Sequence, residues 1–189
     1  MYVVIEGIDT AGKSTQLDIL KTKFSNAVFT KEPGATKLGE KLRAMALGGE
    51  ASSSIAEMFL FLADRAEHTK EVIIPNKDGF IISDRSLISG ISYAQDEDTN
   101  KLIELNILAT QNHLPSHAIL LELSRGELIS RLSQKENDAI ELRGIDYLLN
   151  IQNKMKETIL KLNINHIFID AGLKIDDIAK QIEDFLNVK

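Results

Sequence analysis

Short apolar runs alternate with amphipathic stretches along this chain, and that alternation predicts its elements. Tyr2-Val3-Val4-Ile5 is a continuous apolar run closed by a glycine at position 7, the pattern of a strand buried on both faces. It predicts a strand over 2–6, and similar runs predict strands over 27–30, 79–83, 117–123 and 166–169. Between them, helices are expected near 13–25, 37–47, 55–72, 98–112, 125–134, 144–162 and 174–187. Two have clear helical spacing: Ile145, Leu148, Leu149, Gln152, Met155, Ile159, Leu162, and Ile175, Ile178, Ile182, Phe185. Strand alternating with helix predicts an α/β fold, a five-stranded parallel sheet in a three-layer α/β/α arrangement. Ligands of such sheets sit beyond the carboxyl ends of the strands, so chemistry is sought in the residues that follow each strand.

After the first strand the chain reads Gly7-Ile8-Asp9-Thr10-Ala11-Gly12-Lys13-Ser14-Thr15, and a helical pattern follows through Leu17, Leu20 and Phe24. This is Gly-x-x-x-x-Gly-Lys-Ser between a strand and a helix, the context that makes the match a phosphate loop. The glycines let backbone N–H groups turn inward toward phosphate oxygens, and the helix start adds its positive end. Lys13 would reach the β- and γ-phosphates, and the Ser14 hydroxyl would ligate Mg²⁺.

Composition narrows the picture. The 189 residues suit a single domain over 1–189. A net charge of −6 argues against a general nucleic-acid binder. The chain has no cysteine, in keeping with a reducing, cytoplasmic setting. No apolar run approaches a membrane span, and the first residues do not read as a signal peptide. The polar stretch from about 133 to 144 reads as a short mobile lid that closes over phosphates and excludes water.

Two further strand ends carry chemistry. Phe80-Ile81-Ile82-Ser83 runs into Asp84-Arg85, where Asp84 can hold Mg²⁺ through water and Arg85 can fork onto phosphate oxygens. Thr30-Lys31-Glu32-Pro33-Gly34-Ala35-Thr36 places a Pro-Gly turn after the second strand. Along 55–72, Ile55, Met58, Phe59, Leu62 and Ala66 form an expected core stripe. Phe61, Asp64, Arg65 and His68 share another face, where an aromatic beside an arginine suits stacking on a base and hydrogen bonding to its edge.

These constellations, in this order and over nearly the whole chain, resemble the thymidylate kinases of the P-loop nucleoside-monophosphate kinase family. The likeness is carried by Ile5-Glu6-Gly7-Ile8-Asp9, Glu32-Pro33-Gly34-Ala35-Thr36, Phe61 to His68, Asp84-Arg85 with Ser89 and Tyr93, Leu114-Pro115, and Ile169-Asp170-Ala171. It implies phosphoryl transfer from ATP-Mg²⁺ to dTMP, giving dTDP and ADP on the way to dTTP. It further implies ATP binding by residues 9–15 with Asp170 and Ala171 near adenine, and Asp9 on the acceptor's 3′-hydroxyl. Phe61 would stack on thymine and Arg65 would read its O4. Lys31, Arg43 and Arg85 would handle the acceptor phosphate, and Tyr93 would crowd C2′. Glu32, Pro33, Asp64 and Ser89 would complete the acceptor side, and the protein would be a homodimer.

The chain departs from the family pattern at several points. Ala35 replaces a glycine, Lys31 an arginine and Asp64 a serine, and Ala94 precedes Gln95 where the glutamine is usual. The lid's Asp-Arg pair becomes Asp138-Ala139, and Thr10 stands where some members carry a basic residue. Arg131, Lys135 and Arg143 are then the cations available to complete catalysis beside Lys13, Arg85 and Asp84. The residues alone also admit a P-loop kinase for another nucleotide, or a relative that binds nucleotide without turnover. A GTPase is disfavoured, because Asn76-Lys77-Asp78-Gly79 is a residue short of a guanine reader and precedes a strand.

Overall fold

The computed structural model describes residues 1–94, 97–133 and 144–187. Five strands, β1 (Tyr2–Glu6), β2 (Val28–Lys31), β3 (Ile81–Asp84), β4 (His117–Glu122) and β5 (Asn165–Asp170), form one sheet in the order β2-β3-β1-β4-β5. Every pairing is parallel. Val3, Val4 and Ile5 of the central strand are fully buried, as a strand covered on both faces requires. Among the described residues, eight α-helices surround the sheet: α1 (Lys13–Lys23), α2 (Lys37–Leu47), α3 (Ser54–His68), α4 (Leu87–Tyr93), α5 (Thr99–Ala109), α6 (Arg125–Leu132), α7 (Ile145–Lys161) and α8 (Ile175–Asn187). α1 packs with α8, whereas α4 packs with α7, α5 and α3, and the sheet between the two groups makes three layers. The expected α/β architecture is therefore the observed one.

The register brings Ile5 opposite Asp84, Lys31 opposite Asp84, and Glu122 opposite Asp170. All the strands consequently end at one rim. β1 leads by way of α1 to the far edge strand β2, while β3 connects to β4 on the other side of β1. That reversal opens a crevice at the carboxyl ends of β1 and β3.

Two helical expectations are corrected. The helix expected over 55–72 is α-helical only to His68; a π-helical turn, Thr69–Ile73, and a 3₁₀ turn, Ile74–Asn76, then carry the chain past Pro75. Its expected core stripe is also only partly buried. Leu62 is enclosed, but Ile55 and Phe59 are 47% and 54% exposed, while Asp64, Arg65 and His68 are buried. The reason is position: the polar face of α3 turns toward the rim of the sheet, where charged groups find partners. α4 was not expected at all. The lid stretch, apart from Ser133 and Gly144, lies outside the described residues, as does Gln95.

Candidate active site

The phosphate loop leaves β1 at Gly7, whose φ is +154°. A Cβ there would meet the Ala11 Cβ and the Leu121 carbonyl oxygen at 3.0 Å each, so only glycine lets the loop pass β4 this closely. Thr10 and Gly12 both lie at positive φ, and Gly12 caps α1, so the loop's N–H groups gather at the helix start. Lys13 is buried and its Nζ donates to the carbonyls of Gly7 at 2.9 Å and Ile8 at 3.2 Å. Burial, reinforced by the nearby Arg85 charge, pushes the Lys13 ammonium down to about 8. Ser14 and Thr15 are exposed at the first turn of α1.

Arg85 follows β3 in a left-handed conformation, φ +67°, and its N–H donates to the Ile5 carbonyl at 3.0 Å. The turn aims the guanidinium across the crevice. Nη2 donates to Asp9 Oδ1 at 2.7 Å and Nη1 to Ser89 Oγ at 2.9 Å, with Cζ 5.5 Å from the centre of the Tyr93 ring. The arrangement continues inward to Glu6, a fully buried carboxylate that accepts from Ser89 Oγ at 2.5 Å and Ser86 Oγ at 2.7 Å. Burial pushes the Glu6 carboxyl above its usual range, although both serines favour the ionised form. Sequence reasoning gave Glu6 no role of its own; a lone acid closing an apolar strand was the available signal.

The Glu32-Pro33-Gly34 turn forms a second arm of the crevice, with a cis Glu32-Pro33 bond. Glu32 is buried and spends both oxygens on the protein: Oε2 accepts from Arg65 Nε at 2.8 Å, and Oε1 pairs with His68 Nδ1 at 2.7 Å. A carboxylate only accepts, so Nδ1 carries the proton. His68 Nε2 pairs in turn with the Thr30 hydroxyl at 2.7 Å. Asp64 accepts from the Gly34 N–H at 2.9 Å and pins the turn; burial raises its carboxyl, and that N–H partly opposes the rise. Arg43 is exposed and drapes over the turn, Nη1 donating to the Pro33 carbonyl at 3.2 Å. Lys31 is exposed at the end of β2, and Phe61 and Tyr93 are half-buried.

Arg65 is almost enclosed, at 4% exposure. Besides Glu32, its Nη1 donates to Asn106 Oδ1 at 2.5 Å and its Nη2 to the Ser86 carbonyl at 3.1 Å. One N–H on each terminal nitrogen has no acceptor among the described residues. Asn106, on α5, was missed because its role is non-local: only the fold brings it to Arg65.

On the opposite side of the loop, Arg131 donates from Nη1 to the Thr10 carbonyl at 2.9 Å and from Nη2 to the Ala171 carbonyl at 2.6 Å, while Nε bonds Glu127 at 2.7 Å. It joins the phosphate loop to the Asp170-Ala171 turn, where Asp170 Oδ1 caps the Gly172 N–H at 2.8 Å. Lys135 and Arg143 lie outside the described residues. Among the buried oxygens of this site, Asp84 Oδ1, Thr10 Oγ1 and the Tyr93 hydroxyl have no hydrogen-bond partner among the described residues. The Asp84 carboxylate and the exposed Ser14 hydroxyl are the donor chemistry a hard divalent cation takes, oxygen only and few protein ligands.

Comparison with known proteins sets this geometry in context. The family model for thymidylate kinase matches residues 5–182. The chain is similar to a thymidylate kinase of Aliarcobacter butzleri, 75% identical over 189 residues and the full length of both chains. It is similar to one from Wolinella succinogenes at 51% identity over 182 residues, covering 96% of each. Its fold resembles the crystal structure of thymidylate kinase from Ehrlichia chaffeensis, with a TM-score of 0.79 at 23% identity, covering 100% of this chain and 98% of that one.

Proposed function

The chain belongs to the thymidylate kinase family, and from that premise we propose how its side chains divide the work of phosphorylating dTMP. The enzyme transfers a phosphoryl group from ATP to dTMP, giving ADP and dTDP. The observation that carries the division of labour is the Arg85–Asp9 ion pair at 2.7 Å. It ties the phosphate loop, the donor side, to the cation that ends β3, the acceptor side.

ATP lies along residues 7–15, its phosphates on the loop's N–H groups and Lys13, its adenine toward Asp170 and Ala171. Arg131 supports that side by holding the Thr10 and Ala171 carbonyls. Ser14 and Asp84 would hold Mg²⁺, which supplies charge neutralisation on the donor phosphates when bound. The acceptor is a phosphate monoester with a second pKa near 6, roughly dianionic at neutral pH, so no general base is needed. Catalysis comes from alignment and charge neutralisation. Arg85, fixed by Asp9 and Ser89, presents its remaining N–H groups to the acceptor phosphate. Lys31 and Arg43 flank it, and the Glu32-Pro33 turn and Asp64 shape the wall. Asp9 also reaches the 3′-hydroxyl, and Tyr93 crowds C2′.

Phe61 stacks on thymine and Arg65 donates to its edge. Phe61→Ala is expected to weaken dTMP binding about tenfold or more, since base–aromatic stacking is worth roughly 1–3 kcal/mol, and to leave ATP affinity unchanged. Calorimetric titration with each nucleotide checks this, and unchanged dTMP affinity rejects the stacking role.

The working form is a homodimer in the cytoplasm, acting on free nucleotides rather than nucleic acid. Supporting the dimer, Leu38 and Met45 of α2, Ile55 and Phe59 of α3 and Leu108 of α5 are all more than 40% exposed in a single copy. α2 packs on α3 and α3 on α5, so these residues lie on neighbouring helices. No helix among the described residues is long and apolar enough to cross a membrane. Sedimentation equilibrium is expected to give twice the 21.0 kDa chain mass, falling to one chain for Phe59→Glu; a monomeric wild-type protein overturns the assignment.

A further inference from the structure

Gly90 occupies the interior of α4, where glycine costs about 1 kcal/mol against alanine. Its φ is not positive, so the backbone does not demand it. The demand is spatial. A Cβ at position 90 would stand 2.7 Å from Nη1, 2.8 Å from Nη2 and 3.0 Å from Cζ of Arg65. It would be nearer to both nitrogens than to the carbon between them, so it would push into the guanidinium fork rather than lie on its face.

Arg65 has no cheap way to yield. Its Nε, Nη1 and Nη2 are each held by a separate group on a separate element: Glu32 after β2, Asn106 on α5 and the Ser86 carbonyl before α4. Asn106 is equally fixed, 2% exposed, its Nδ2 donating to the Leu102 carbonyl at 2.7 Å, which turns Oδ1 toward Arg65. A side chain at 90 must therefore break anchors of a buried cation, and losing Asn106 Oδ1 releases Nη1.

We propose that Gly90 and Asn106 are positioning residues for nucleobase selectivity, seating Arg65 so that an uncommitted N–H of its guanidinium meets a carbonyl oxygen on the pyrimidine edge. The proposal rests on the reading that Arg65 faces the base. A guanidinium has donors only, so it favours a 4-carbonyl and opposes a 4-amino group, which brings donors of its own. Selectivity for dTMP over dCMP then depends on where the guanidinium sits, and Gly90 and Asn106 set that place.

Steady-state kinetics with dTMP and dCMP test this in Gly90→Ala, Asn106→Leu, Arg65→Lys and the Gly90→Ala/Arg65→Lys double variant, each checked for folding by thermal melting. For Gly90→Ala the KM for dTMP is expected to rise at least tenfold, with kcat and the KM for ATP within about threefold, and dTMP-over-dCMP preference to fall at least tenfold. Asn106→Leu moves the same quantities in the same direction. Lysine has no fork to obstruct, so Gly90→Ala should add no more than about twofold in the Arg65→Lys background. If Arg65→Lys leaves dTMP KM and selectivity unchanged, the underlying reading of Arg65 fails. If Arg65→Lys is impaired while Gly90→Ala matches the wild type, or if Gly90→Ala keeps its full effect in the Arg65→Lys background, the positioning role is overturned.

Discussion

Arg85→Ala is expected to lower turnover at least a hundredfold while the protein stays folded and binds ATP within a few-fold of normal. The loss follows from what the guanidinium does when charge builds on the transferred phosphoryl group. A single preorganised donor aimed at developing charge is worth roughly a hundred- to a thousandfold in rate, and Arg85 brings a full charge as well. Its preorganisation is visible in the structure: Asp9 and Ser89 hold the two terminal nitrogens, and Glu6 holds Ser89 from behind. The left-handed backbone at Arg85, φ +67°, is a further sign of a side chain placed by the surrounding structure at some local expense. ATP binding should persist because, in the proposed arrangement, the triphosphate sits on the loop and Lys13. A coupled ADP-release assay at saturating ATP and dTMP measures the effect; turnover within tenfold of wild type in a folded Arg85→Ala protein removes Arg85 from the chemistry.

Glu32→Gln is expected to cost about 3 kcal/mol of stability at neutral pH, the range found when one partner of a buried ion pair is removed. Arg65 would remain enclosed with its countercharge gone. Burial by itself opposes ionisation of Glu32, but the Arg65 charge and the His68 hydrogen bond outweigh it and hold the carboxyl below its usual value of 4.5. A folded value below the unfolded one means that the unfolded chain binds the proton more readily. The stabilisation is therefore complete above 4.5 and fades as pH falls through the lower folded value. Urea unfolding of wild type and Glu32→Gln from pH 7 downward should show a gap that narrows only below that carboxylate range. Equal stability at pH 7, or a gap that stays constant into acid, contradicts this account of the pair.

Much of the fold can be read from the pattern of apolar runs, because a strand covered on both faces has to be apolar throughout. The reading of β1 over 2–6 coincides with the structure, and the other strands agree to within two residues at either end. α4 escaped because Leu87–Tyr93 is seven residues long with serines at 89 and 92 and a glycine at 90, too short and too mixed for a helical stripe to declare itself. α3 misled for a different reason. Spacing identifies faces, but which face points inward depends on what the rim supplies, and there Glu32 and Asn106 made the polar face the buried one. The phosphate loop and Asp84-Arg85 were legible because their spacing is local. Glu6, Asn106 and Gly90 were not, since each acts through a side chain supplied by another element: Ser89 and Ser86 for Glu6, and Arg65 for the other two.

Lys13 carries one more consequence. Its ammonium group is already out of water in the folded chain, resting on the Gly7 and Ile8 carbonyls. An exposed lysine would have to shed its hydration and give up rotamer freedom as a nucleotide arrived. Here that dehydration belongs to folding, and on the proposed reading the incoming phosphate need only exchange one set of oxygen acceptors for another. In that arrangement the two carbonyls are placeholders for phosphate oxygens.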